Sequence, residues 1–226
     1  MQSAFDVRSL DGSALALETL TLGPGKTAAL GKPEQDSLLY VGKGAGLFSV
    51  GAESTPVHPG SAGLVLAGEE GSLTATEKLE AIVATVDADV DLHAPMGPRE
   101  LVVSLDAADT QQATGGRSFE ILFGPNNGST RATLFAGFVP PGRAPWHYHL
   151  YDEIVWVPEG PGRLHLAEGD ATLESGSAFR LRPRKVHIVE NASAAEMTII
   201  GVFTPAGSPS AAYLTAESAA EYRFAG

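Results

Sequence analysis

Apolar residues along this chain come in short blocks and alternations, without a sustained helical period. The runs "RATLFAGFV" (131–139) and "EIVWV" (153–157) are rich in β-branched and aromatic residues and read as strands. "RLHLAEGDATL" (163–173) alternates around Leu164 and Leu166 and then turns at Glu168-Gly169-Asp170. "PNNGS" (125–129) carries Asn-Gly, a hairpin signal, because both turn residues tolerate positive φ. One helix is predicted, at the C-terminus, where Thr215 would N-cap "AESAAEY". Many short strands with regular turns predict an all-β sandwich or barrel.

The strand pattern occurs twice. Residues 38–62 align with 154–178 without a gap, at a constant offset of 116. Val41 meets Val157, Gly44 meets Gly160, Gly46 meets Gly162, and Gly60 meets Gly176. The register runs back to Pro24 and Pro140, and on from "AIVATV" (81–86) to "MTIIGV" (197–202). Two copies of one unit are the natural reading. The polar, Gly-Gly-containing segment 106–117 lacks apolar periodicity, so the boundary falls there. The expected domains are 1–108 and 109–226.

Composition narrows the functional classes. With 15 basic against 27 acidic residues, the net charge of −12 argues against nucleic acid and anionic lipid as partners. No apolar run reaches the ~18 residues of a membrane span. The N-terminus carries acids among its apolar residues and reads as mature protein rather than a signal peptide. The absence of cysteine removes disulfides, thiolate metal sites and cysteine nucleophiles, and fits a reducing, cytoplasmic location. No P-loop or GxSxG elbow occurs.

The chemistry concentrates in "HYHLYDE". His147 and His149, two apart on a strand, point to one face. Glu153 follows past a bend at 150–152, and His187 is a fourth candidate. Three imidazoles and one carboxylate suit a divalent Mn, Fe, Co, Ni or Zn ion. The repeat supplies an internal control. At offset 116 the first copy has Gly31, Pro33, Ser37 and Gly71 in place of His147, His149, Glu153 and His187. All four are missing together while the structural glycines remain, as expected of one site lost as a unit.

These residues resemble the motifs of the cupin superfamily. Gly142, His147, His149, Glu153 and Gly160 match the first motif, with the Gly142–His147 gap one residue short. Gly176, His187 and Asn191 match the second, but Arg182 and Arg184 replace its usual Pro and Gly. That departure bears on the loop at the pocket mouth and adds positive charge there. The resemblance implies two tandem jelly-roll barrels, a bicupin, with a metal-binding C-terminal barrel and a degenerate, metal-free N-terminal one. It implies one divalent transition ion held by His147, His149, Glu153 and His187.

By strand parity, Val155 and Val157 face inward with Glu153, giving a largely apolar pocket, while Tyr148 and Trp156 face out. Arg180 and Arg182 face away from the barrel interior. Arg184 and Lys185 are candidates for the pocket mouth, and Asp152 for a carboxylate that orients a ligand imidazole. His58, His93 and His165 have no partner set and read as surface or structural residues. The leading functional expectation is a metal-dependent enzyme on a small oxygen-bearing organic molecule, dioxygenase-type. The alternatives are a non-redox isomerase or lyase on a sugar acid, and a binding bicupin without turnover. Expected partners are a small-molecule ligand or substrate and, for a homodimer, a second copy of the chain.

Overall fold

The computed structural model describes residues 9–10, 14–105, 110–113 and 116–216, and the apolar blocks form strands throughout. The helix predicted after Thr215 lies outside the described residues beyond Ala216. The "PNNGS" prediction is half right. Ser118–Phe123 and Thr133–Val139 do pair antiparallel. Their link, however, is a 3-10 turn over Pro125–Asn127, with positive φ at Gly128 and not at Asn127. The Asn127 side chain bridges the turn: Gly124 N–H donates to its Oδ1 at 2.9 Å, and its Nδ2 donates to the Leu122 carbonyl at 2.7 Å. The turn predicted at 168–170 sits one residue earlier, since Gly169 already pairs with Leu166.

Strand pairing never leaves either half among the described residues. In the first half, six strands follow the order Ser9–Leu10, Leu15–Leu22, Leu79–Asp87, Gln35–Lys43, Ser61–Val65, Val102–Ser104. A four-stranded sheet faces them: Thr27–Ala29, Gly71–Ala75, Gly46–Val50, Glu53–Val57. The second half repeats the plan. Its larger sheet runs Gln111–Gln112, Ser118–Phe123, Thr133–Val139, Met197–Thr204, Asp152–Trp156, Ala178–Leu181. Its facing sheet runs Gly169–Leu173, Gly162–Leu166, His187–Asn191, His147–His149, Ala212–Leu214. The architecture is two tandem jelly-roll barrels.

The pairing registers test the repeat. Gly46↔Val57 and Gly162↔Leu173 agree at offset 116, as do Val50↔Gly71 and Leu166↔His187. The last strand departs. Leu38 pairs with Ala84 and Ile154 with Val202, an offset of 118. A two-residue shift keeps every side chain on its face, so the hydrophobic pattern concealed it.

Both faces of the larger sheets are buried, which explains why "SLLYV" and "EIVWV" read as continuous apolar runs. Leu39, Val41, Phe48 and Leu73 fill the first barrel, and Val155, Val157, Leu164 and Phe179 line the second. Leu38, Tyr40 and Ile82 face the other way and meet Leu134, Ile154 and Ile200 in a core shared by the two halves. Each such side chain contributes roughly 1.5–3 kcal/mol on burial.

Two acids occupy matching places at this seam. Asp36 accepts from Arg131 Nη1 at 2.7 Å and from Ala67 N–H at 2.8 Å. Asp152, its counterpart at offset 116, is held by Arg180, whose Nη1 donates across the seam to the Leu15 carbonyl at 3.0 Å. The outward parity predicted for Arg180 and Trp156 is what delivers them to the other half, where Trp156 packs edge-on against Tyr40.

Candidate metal centre

His147 is the backbone partner of His187 on adjacent antiparallel strands, so the two side chains leave the same face. Their ring centres are 4.4 Å apart. His149, two residues on, shares that face and stands 5.1 Å from His187. Glu153 comes from the opposite sheet, past the bend at 150–151, and its Oε2 lies 2.7 Å from His149 Nε2. Three imidazoles on one wall and one carboxylate on the other thus converge in the interior of the second barrel.

The three rings share one mode of support. His147 Nδ1 donates to the Pro145 carbonyl at 2.9 Å, His149 Nδ1 to Tyr151 at 3.1 Å, and His187 Nδ1 to Lys185 at 2.8 Å. A carbonyl only accepts, so each Nδ1 carries the proton and each Nε2 is left toward the pocket. Burial first, aided by the positive charge of Arg117, lowers the pKa of His147, and burial with the neighbouring His147 lowers that of His187 well below the ordinary histidine value. Both rings are therefore held neutral, the form that can ligate. His149 differs. Burial is its largest influence and acts downward, but the charge and contact of Glu153 with the Tyr151 carbonyl outweigh it, and the net shift is upward.

The donor set fits a divalent ion. His149 Nε2 is buried and its 2.7 Å approach to Glu153 is not aligned as a hydrogen bond. A buried polar atom in that state costs about 1–3 kcal/mol unless a partner arrives. Two imidazoles bound through Nε2 to one ion at right angles would hold their ring centres about 4.5 Å apart. The separations of 4.4 and 5.1 Å are close to that. Among the described residues, no three such side chains are already closed around a common point in coordinating geometry.

The four residues line a cavity of about 90 Å³. Its remaining wall is mostly apolar, with Phe119, Phe135, Val155 and Ile199 among the lining residues. Glycine makes room for it: a Cβ on Gly201 would stand 2.3 Å from the Phe135 ring and 3.0 Å from Glu153 Oε1. Two further polar residues face the cavity that sequence reasoning did not put there. Tyr151 stacks on His149 at 4.1 Å and on Phe203 at 3.9 Å, and its hydroxyl donates to the Pro209 carbonyl at 3.3 Å. Burial, with the nearby Glu153 charge, pushes its pKa far above the usual tyrosine range, so it stays a phenol. The repeat does carry a signal for Tyr151, because Gln35 stands at its position in the first half. Arg117 closes the boundary segment in the sequence and lines this cavity in the structure. It has no counterpart in the repeat to flag it.

The remaining candidates lie elsewhere. Asp152 points to the seam, bound by Arg180 and, at 3.1 Å, by Arg182. His149 takes a backbone carbonyl where the sequence reading offers Asp152 as acceptor. Asp36 at the matching position of the first half is a signal in the sequence, unused in the sequence reading, that this acid belongs to the scaffold. Lys185 pairs with Glu168, and Arg184 is exposed, and neither lines the cavity. Arg184 takes positive φ, 66°, where the related motif has glycine, and its N–H donates to the His149 carbonyl at 2.7 Å. Tyr148 stacks on Tyr213 away from the pocket. His165 is buried between Asp170 and Glu190, while His58 and His93 bond neighbouring carbonyls near the surface.

The first barrel is closed at the corresponding places. A Cβ on Gly31 would stand 2.0 Å from the Glu69 carbonyl oxygen, and one on Gly71 would stand 2.4 Å from Val65. Ser37 spends its hydroxyl on the Leu30 carbonyl at 2.6 Å.

Residues 135–203 match the family model described as Cupin domain. No curated protein matches the chain. Among solved structures, AerE from Microcystis aeruginosa superposes with a TM-score of 0.72 at 13% identity, over 87% of this chain and 90% of that one. A mutant of Bacillus subtilis oxalate decarboxylase gives 0.72 at 14%, over 94% of this chain and 76% of that one. A cupin 2 conserved barrel domain protein from Leptotrichia buccalis gives 0.62 at 13%, over 87% and 88%. These identities speak for the fold alone. No helix among the described residues is long and apolar enough to cross a membrane.

Proposed function

We propose that this chain is a bicupin of the cupin superfamily, on the match of residues 135–203 to the Cupin domain model, and that it is a metal-dependent enzyme acting on a small oxygen-bearing organic molecule. His147, His149, Glu153 and His187 would hold one divalent transition ion. The observation that carries this is the common orientation of the three imidazoles, each tied through Nδ1 to a backbone carbonyl with Nε2 toward Glu153 and the cavity. In the proposed division, 109–226 bears the chemistry, and 1–108 braces it through the shared core.

A bound ion would supply Lewis acidity and open positions for a substrate oxygen or dioxygen. The chain's own groups do the rest. The backbone carbonyls fix the imidazole tautomers, and Tyr151 fixes the plane of His149 by stacking. Glu153 raises the pKa of His149, so the metal-free pocket favours a protonated ring, and ligation would release that proton. Phe119, Phe135 and Ile199 keep water out and limit the substrate to a small molecule.

A dioxygenase-type reaction is our first choice, because the cavity presents the three histidines and one glutamate with, among the described residues, no second carboxylate in its wall. A lyase is the second reading, supported by the fold's likeness to a decarboxylase in which Mn(II) centres are described. Metal analysis tests the common premise. Purified protein should carry close to one equivalent of a first-row divalent ion, and His147→Ala with His149→Ala should lose it. Full retention by the double variant would sink the ligand assignment. Oxygen uptake with diketones, catechols and flavonols then separates the two reactions.

A further inference from the structure

We infer that Gly201 is a positioning residue for this centre: the space over its Cα is shared by Glu153 and the ring of Phe135, and this notch holds the carboxylate against the histidine wall. The inference rests on the metal-centre reading proposed above. Gly201 lies inside the strand Met197–Thr204, opposite Phe135 on one side and Val155 on the other. Glycine weakens the interior of a strand, so its presence there needs a reason. The pairing through it is regular on both sides, without a bulge. Its φ is not positive, so the backbone conformation does not ask for glycine either.

The reason lies above the sheet. A Cβ at 201 would stand 2.3 and 2.4 Å from two atoms of the Phe135 ring and 3.0 Å from Glu153 Oε1. The ring has little room to give way. It would meet a Cβ on Gly137 at 3.3 Å, and it packs edge-on with Phe119 and Phe203 at 6.5 and 5.9 Å. Glu153 starts from this same sheet and has to reach the facing one, where its Oε2 stands 2.7 Å from His149 Nε2. It does so by leaning over Gly201, and the ring fills what is left of that space. The first barrel supplies a control. Val83 pairs there with Leu39 as Gly201 pairs with Val155, and Ser37 stands in place of Glu153. Where the carboxylate is missing the glycine is missing too, so the barrel itself does not require glycine at this point.

Titration of the full chain with Co(II), followed through the visible bands of the bound ion, tests the notch. Gly201→Ala forces the ring or the carboxylate to move, and should weaken binding about 10–100-fold with altered bands. Phe135→Leu opens the space, and should loosen the carboxylate with a loss of about tenfold. In the double variant the added methyl replaces part of the lost ring, so it should bind more tightly than Gly201→Ala alone. Wild-type affinity and bands in folded Gly201→Ala, whatever its melting temperature, overturn the inference. The same result in Phe135→Leu overturns it even where the alanine variant fails to fold. A double variant that binds no more tightly than Gly201→Ala also overturns it. Crystal structures of the metal-free variants separate this inference from its premise. Glu153 Oε2 should have left its place beside His149, and an unmoved carboxylate overturns the notch. A wild type that takes up no Co(II) removes the metal centre, and those metal-free structures then judge the notch alone.

Discussion

His187 and its neighbours show how one residue's surroundings set its chemistry. Burial keeps the proton off His187 and His147, while Glu153 draws one toward His149. The consequences for metal-free protein have opposite signs. For His147 and His187 the folded value is lowered, so the unfolded chain takes up protons first as pH falls through about 6.5, and stability is lost. The raised value of His149 gives stability that is present below about 6.5 and lost as pH rises through the folded value. Between about pH 7.5 and 5.5, denaturant unfolding of metal-free His187→Gln should therefore lose less stability than wild type, by up to about 1.4 kcal/mol. An equal or steeper loss in the variant would contradict the assignment. The place of His187 beside His147 was legible from its spacing, whereas that of Arg117 in the cavity wall was not, because nothing local ties a residue after Gly-Gly to a cavity built from later strands.

At the scale of elements, the loop 182–185 links the two motifs. Arg184 has positive φ, and its N–H holds the carbonyl of His149. A non-glycine residue in this conformation costs roughly 1–2 kcal/mol, while glycine there costs roughly 0.5–1 kcal/mol in chain entropy. Arg184→Gly should thus raise the unfolding free energy by about 0.5–1 kcal/mol without changing metal content. A melting curve with metal analysis checks both. The substitution of Arg for the usual glycine was visible in the sequence, but the conformation it must adopt was not. The hairpin at 125–129 gives the same lesson. Asn-Gly marked a reversal, yet the Asn127 side chain bonds Gly124 and Leu122 and selects a 3-10 turn.

At the scale of the molecule, the seam between barrels depends on burial of both faces of the larger sheets and on charges that cross it. Asp36 is 1% exposed, and its partner Arg131 belongs to the other half. Removing one member of such a pair leaves a buried charge without compensation, which typically costs about 3–5 kcal/mol. Arg131→Met should destabilise by about 3 kcal/mol, and adding Asp36→Leu should recover most of that loss. Denaturation of the single and double variants measures both. Equal stabilities for wild type and Arg131→Met would mean the pair contributes little to the seam.

The sequence by itself determined the fold class, the duplication and the four convergent residues. Strand periodicity assigns faces, and a lost copy of the motif separates chemistry from scaffold. Tertiary structure alone decided where the charged residues go. Asp152 and Arg180 went to the seam, Lys185 to Glu168, and Arg117 to the cavity. Parity says which side of a sheet a residue takes, but not what that side meets. That depends on the packing of whole sheets and on strands far apart in the chain.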